Sequence, residues 1–400
     1  MNLLPRRIIG SQDAADGWCR RWRQALGRIE VLLLLAATDT AAVEGISAAG
    51  ATAAARRSTA AADAELLLLG PAAALPHPLP PLPAGVSPAL ISHVVCNGLD
   101  LEPLVVDLGC ATAPGVPHLR PPPPAACGPA RCLSSGAAMP RPRVEALLAL
   151  GRRWGRAGGA GDPLVVAECV PGGTTTAQAL LSGLGIEAGG IVSGSLARPA
   201  HALKADLVAR GLAAIPMPAD PIAITAALGD PMQPLAAGLV LAAAETGRPV
   251  LLAGGSQMAA VLALALALAE PELRQRLVAL AAVGTTAWVA RERDSDLALL
   301  LTRVGQRWAV EPLAFAASLH FHGPVQPALA DYERGYVKEG VGAGGLAIAW
   351  ELSGRTPAAL AEACDRACIA LLGPTSAPAA CGLSAAPRPP GGGGLRSGDG

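Results

Sequence analysis

Short apolar runs, each closing on small or polar residues, recur along the chain with amphipathic or alanine-rich stretches between them. Residues 31–37 read as a buried strand that stops at Thr38-Asp39-Thr40, and residues 45–50 then open an alanine-rich helical segment. Residues 64–69 and 104–108 are further short apolar runs, and residues 143–154 read as a helix feeding a strand at 164–167. The rhythm is clearer in the second half. There a helix at 235–246, a strand at 249–252, a glycine turn at 253–256 and a helix at 257–269 follow one another. Strands are expected next at 277–283, giving way to Gly284-Thr285-Thr286, and at 313–319. Alternating strands and helices predict an α/β fold, a doubly wound and mainly parallel sheet whose loops gather at one edge.

Outside that rhythm, residues 1–30 carry Trp18, Trp22, Leu26 and Ile29 at near-helical spacing and read as an accessory helical segment, the basis of a smaller helical domain. Residues 31–373 form the α/β domain, interrupted by proline-rich stretches at 71–88 and 114–140. Residues 374–400, dominated by Pro, Ala, Ser and Gly, read as a disordered tail.

Apolar residues make up 52% of the 400, but so many are alanine that the figure points to closely packed helices rather than a membrane protein. The longest apolar run, residues 258–269, is about a dozen residues, where a membrane span takes roughly 20. Arg6 and Arg7 precede the 31–35 run at too great and too polar a distance for a signal peptide, so a cytoplasmic protein is expected. Lys plus Arg equals Asp plus Glu at 31 each, which leaves no electrostatic footprint for nucleic acid or an anionic membrane. The expected partner is a small molecule. Nine cysteines without a CxxC pair read as reduced thiols, Cys169 being a packing residue rather than a nucleophile.

Candidate chemistry concentrates at residues 164–184. A buried strand ends beside Glu168, and Pro171-Gly172-Gly173 with Thr174, Thr175 and Thr176 then starts a helix. Glycine admits close backbone approach and a helix N-terminus attracts anions, so the segment offers a phosphate cradle beside an acid. Residues 337–349 repeat the plan with Glu339 before Gly340 and Gly342, and Gly254-Gly255-Ser256 is a reserve anion loop. A carboxylate among such small residues has little to solvate it, so Glu339 is expected to have a raised pKa and to act as a base. Neither segment is a Walker A loop or a GxGxxG fingerprint. His320 and His322 should point the same way, but no third ligand is evident and no metal site is expected. Asp294 and Asp296 read as a solvated helix start.

Taken together, residues 37–51, 59–70, 167–185, 247–265, 281–297 and 336–349 resemble the nicotinate-nucleotide:dimethylbenzimidazole phosphoribosyltransferase family of cobalamin biosynthesis, in its archaeal and cyanobacterial branch. The resemblance implies a homodimeric transferase without a cofactor. It would move the phosphoribosyl group of nicotinate mononucleotide to a benzimidazole-type base, giving α-ribazole phosphate and nicotinate. It implies Glu339 as catalytic base, Glu168 as the second, electrostatic glutamate, and residues 172–176 as the phosphate loop. Ala253 stands where that family carries an acid. A different azole or purine acceptor, or a non-catalytic binder of a nucleotide or cobamide precursor, remains compatible with the residues.

Overall fold

The computed structural model describes residues 4–373, apart from 160, 217 and 324, together with residue 398; the rest of the expected tail at 374–400 lies outside the described residues. Its strands are β1 (Arg6–Ile9), β2 (Glu30–Leu35), β3 (Pro103–Asp107), β4 (Leu164–Cys169), β5 (Val250–Ala253), β6 (Ala281–Thr285) and β7 (Leu313–Ala316). They form one sheet in the order β1-β7-β6-β5-β4-β2-β3, and every neighbouring pair is parallel except β1 with β7.

Helices cover both faces, so the central strands are buried along their length and read as continuous apolar runs. Alternate side chains enter two separate cores. Leu32, Leu34, Val166, Leu252 and Val283 join one, while Leu33, Leu35, Val165, Leu251 and Phe315 join the other. This is the expected doubly wound α/β arrangement. Small residues set the helix spacing: helix Arg141–Ala157 lies so close to helix Met232–Thr246 that a Cβ on Gly151 would overlap the Leu235 carbonyl oxygen. The alanine-rich composition is thus a way of packing backbones closely, and no helix among the described residues is long and apolar enough to cross a membrane.

Three elements differ from the sequence reading. The first 30 residues are not a single helix: among the described residues β1 joins the sheet edge antiparallel to β7, Gln12–Gln24 is α-helical and Leu26–Arg28 is a 3-10 turn. Trp18 stacks on Trp22 at 4.8 Å and packs on Phe315 of β7 at 5.1 Å, so this segment belongs to the main core. Residues 64–69 are the end of helix Ala53–Leu69, and residues 277–280 end helix Pro271–Leu280, with β6 starting only at Ala281. Apolar runs this short fit a buried helix turn as well as a strand.

The chain moves from β2 outward to β3, then returns to β4 on the other side of β2 and continues in the opposite direction. Ligands of doubly wound sheets bind beyond the strand carboxyl ends at such a reversal. Helix Ala343–Leu352 starts there, pressed onto the sheet edge. A Cβ on Gly342 would lie 2.6 Å from the Ala167 Cβ, and one on Gly345 would lie 2.9 Å from the Ala253 Cα.

Gly345→Ala is therefore expected to destabilise the protein by about 1–3 kcal/mol, the usual range for overpacking, in denaturant titration. Adding Ala253→Gly should restore part of the loss. Additive losses would show that the two positions do not press on one another.

Candidate active site

Glu168 lies at the carboxyl end of β4, and its carbonyl oxygen accepts a hydrogen bond from the Val341 N–H at 2.9 Å. The two glycine-rich units recognised in the sequence are therefore joined directly. Between them the backbone is held in unusual conformations, with φ of 65° at Val337, 52° at Lys338 and 54° at Val341. L-residues, β-branched ones above all, rarely occupy that region, and strain of this kind gathers at functional sites. The turn aims the Glu339 side chain into four donors. Thr285 Oγ1 at 2.8 Å and the Thr286 N–H at 2.9 Å reach one oxygen; the Gly344 N–H at 3.0 Å and the Gly340 N–H at 3.3 Å reach the other.

Glu339 shifts in the expected direction. Burial raises Glu339 above its ordinary value, and those four hydrogen bonds oppose the shift. Glu168, 4% exposed, has the Val170 N–H at 3.0 Å; burial and then the Glu339 charge push it up to about 8. Two neighbouring carboxyls share their ionisation, and the better-solvated one holds the charge. Near neutral pH Glu168 keeps its proton, and the donors around Glu339 favour the charge there.

Both acids line a cavity of about 320 Å³, together with Gly172, Gly173 and Thr174, and with Gly255, Ser256 and Gly340. Other candidates lie behind it. Thr175 and Thr176 are fully buried, and Thr176 Oγ1 donates to Asp230 Oδ2 at 2.6 Å. The Gly254 N–H is bound to the Gly284 carbonyl oxygen at 2.8 Å, and Gly342 packs on Ala167. Ala253 is fully buried beneath Gly342 and Gly345, which explains the missing acid: a carboxylate there would have to displace the helix.

The sequence reading missed the site's cations. The chain has two lysines, Lys204 and Lys338, and both are buried at this cavity's margin. Lys204 Nζ donates to Thr174 Oγ1 at 3.1 Å and to the Ser193 carbonyl oxygen at 2.6 Å. Lys338 Nζ lies 2.7 Å from Glu292 Oε1 and donates to the Leu196 carbonyl oxygen at 2.6 Å. Burial brings Lys204 down to about 7, with Glu292 opposing and Lys338 reinforcing the shift. The cradle thus combines a helix N-terminus at Gly173, the Thr174 hydroxyl and a poised amine. Its signal was present, since Lys204 shares the buried face of helix His201–Ala213 with Leu207, Val208 and Gly211.

His320 and His322 do stack, 4.9 Å apart, and a third group absent from the sequence reading, Glu333, approaches them. Arginine only donates, so the 3.0 Å contact of Arg291 with His320 Nε2 puts the imidazole proton on Nδ1, which faces Glu333 at 3.2 Å. That chain of hydrogen bonds engages both ring nitrogens of His320. Asp296 caps helix Leu297–Trp308 by accepting from the Leu299 N–H at 2.8 Å. The Cys169 thiol lies 3.3 Å from Asp63 Oδ2 and is raised well above its ordinary range by burial, as suits a packing residue.

The chain has relatives among known proteins. A family model described as Phosphoribosyltransferase (DBI_PRT) matches residues 89–284. A UPF0284 protein of Prochlorococcus marinus (strain MIT 9313) is 52% identical, the match covering 91% of this chain and 91% of that protein. A UPF0284 protein of Parasynechococcus marenigrum (strain WH8102) is also 52% identical, covering 91% of this chain and 94% of its own. Among solved structures, CobT from Thermus thermophilus superposes with a TM-score of 0.53 at 21% identity, over 89% of this chain and 92% of its own, a likeness of fold.

Because folding raises Glu168 to about 8, its stabilising contribution is full below the ordinary carboxylate range and is lost as pH rises through about 8. Glu168→Gln, neutral at every pH, should melt close to the parent at about pH 5 and about 2 °C above it at about pH 9. A difference that does not change with pH would show that Glu168 is not held protonated.

Proposed function

Since the chain belongs to the UPF0284 family and carries a phosphoribosyltransferase match, we propose that it moves the phosphoribosyl group of nicotinate mononucleotide to a benzimidazole-type base, releasing nicotinate. The observation that carries this reading is the joining of the two acids to the Lys204 cradle around one cavity. The 5′-phosphate sits at Gly172, Gly173 and Thr174, where the helix N-terminus and Lys204 oppose its charge. A phosphate dianion beside Lys204 restores the proton that burial makes labile.

The acceptor lies against the apolar wall of Leu79, Pro81, Leu82 and Val86. One of its ring nitrogens supplies an electron pair to C1′ as the bond from C1′ to the pyridinium nitrogen breaks, and that bonding pair leaves with nicotinate. The acceptor's other nitrogen carries a proton that becomes acidic as the ring turns cationic. Glu339, anionic and fixed by four donors, takes it. Positive charge developing on the ribose is stabilised by the carboxyl pair, and the cationic pyridinium of the bound donor draws Glu168 toward its charged form.

Glu339→Gln should lower the rate of nicotinate release by about 10²–10⁴, the usual contribution of general-base catalysis, with an unchanged circular dichroism spectrum. Near-parental turnover would remove Glu339 from the role. Lys204→Met should weaken nicotinate mononucleotide binding by about tenfold or more, the value of a charge-assisted hydrogen bond, while leaving nicotinate riboside, which lacks the phosphate, unaffected. Equal losses for both ligands would place the phosphate elsewhere.

A further inference from the structure

One buried acid at the cavity is used by no step above. Asp63 lies on helix Ala53–Leu69, is 5% exposed, and lines the cavity with the proline-rich wall of residues 79–88. Ser87 Oγ donates to its Oδ1 at 2.6 Å, and the Cys169 thiol reaches its Oδ2 at 3.3 Å. The Ser87 oxygen in turn accepts from the Ala89 N–H at 3.1 Å, which fixes the hydroxyl so that its hydrogen is committed to Asp63. A carboxylate has about four lone-pair positions, and among the described residues one hydroxyl and one weak thiol are the donors that meet them. Among the described residues no cation pairs with Asp63, and burial pushes it up to about 6. The neighbouring wall is otherwise apolar, built from Leu79, Leu82, Val86 and Pro88. A wall of that kind receives a flat ring, and a carboxylate short of donors within it asks the ring for one.

We infer that Asp63 is a specificity residue for the acceptor, accepting a hydrogen bond from an exocyclic amine on the base and so favouring amino-substituted fused azoles over methyl-substituted ones. An amine completes the coordination of the carboxylate, whereas a methyl group strips water from it and offers nothing in return. Glu339 removes the proton at the reacting end of the base, and Asp63 reads a different donor on the same ring.

This inference rests on the phosphoribosyl-transfer reading for its kinetic test but not for its binding test. The probes are 5-aminobenzimidazole and 5-methylbenzimidazole, which are nearly the same size and differ in donor capacity. With nicotinate mononucleotide at about pH 8.5, kcat/KM for the amine is expected to exceed that for the methyl compound by about tenfold, the value of one hydrogen bond to a charged group. Asp63→Asn, which presents its own donor, should abolish that ratio. Calorimetric binding of the same pair without the nucleotide should show the same preference and the same loss. A parental protein that treats the two compounds alike overturns the inference even if the variant does not fold, and so does a ratio that survives Asp63→Asn. If no acceptor releases nicotinate but the binding preference holds and vanishes in the variant, the transfer reading fails and the role of Asp63 stands.

Discussion

The hydrogen bond from the Val341 N–H to the Glu168 carbonyl oxygen sets the distance between the two acids, and the surrounding structure keeps it in place. On one side is the rigid end of β4. On the other is a turn whose left-handed residues Val337, Lys338 and Val341 each cost about 1–3 kcal/mol of backbone strain. That turn persists because it is bound at several points. The Val337 N–H donates to the Ser195 carbonyl oxygen at 3.2 Å, and Thr286 Oγ1 donates to the Lys338 carbonyl oxygen at 2.6 Å. Helix Ala343–Leu352 closes behind it through glycines that allow backbone contact. Stability elsewhere in the sheet thus holds the Glu339 carboxylate in one orientation.

Charge distribution follows from the same confinement. Two neighbouring buried carboxyls cannot both ionise freely, and the donors surrounding Glu339 favour the charge there. The amine of Lys204 is poised in the opposite sense, its proton weakly held until an anion arrives. An empty cavity therefore carries less charge than its residue list suggests. On the proposed reading the ligand brings a cation near Glu168 and an anion near Lys204, so that substrate and site would settle each other's protonation.

Much of this could be read from the sequence, and the misses share a cause. The strand, glycine turn and helix around Glu168 are local, as is the run from Glu339 to Gly342, and local pattern reveals both. That Thr175 and Thr176 turn inward while Thr174 faces the cavity depends on helix phase after Gly172, which composition does not give. Glu333 lies beside His320 only because residues after β7 fold back, a long-range fact. Asp63 was lost at the edge of a short apolar run that reads equally well as strand, and two of the four donors around Glu339 come from β6 and the residue after it, far away in sequence. The N-terminal tryptophans announced burial correctly, yet β1 was too short and too polar to announce a strand. Their matching settings along the chain pair the two acids, and the resemblance to a known family adds the division of roles between them.

The use of arginine for nearly every positive charge has a practical consequence. Both of the chain's lysines are in the wall of the cavity and its immediate support, so apart from the chain's own N-terminus the protein offers amine chemistry nowhere else. A reagent that acylates or methylates primary amines ordinarily paints a protein's whole surface. On this one it becomes a reporter of a single place, and the extent of labelling measures how often that place opens to solvent.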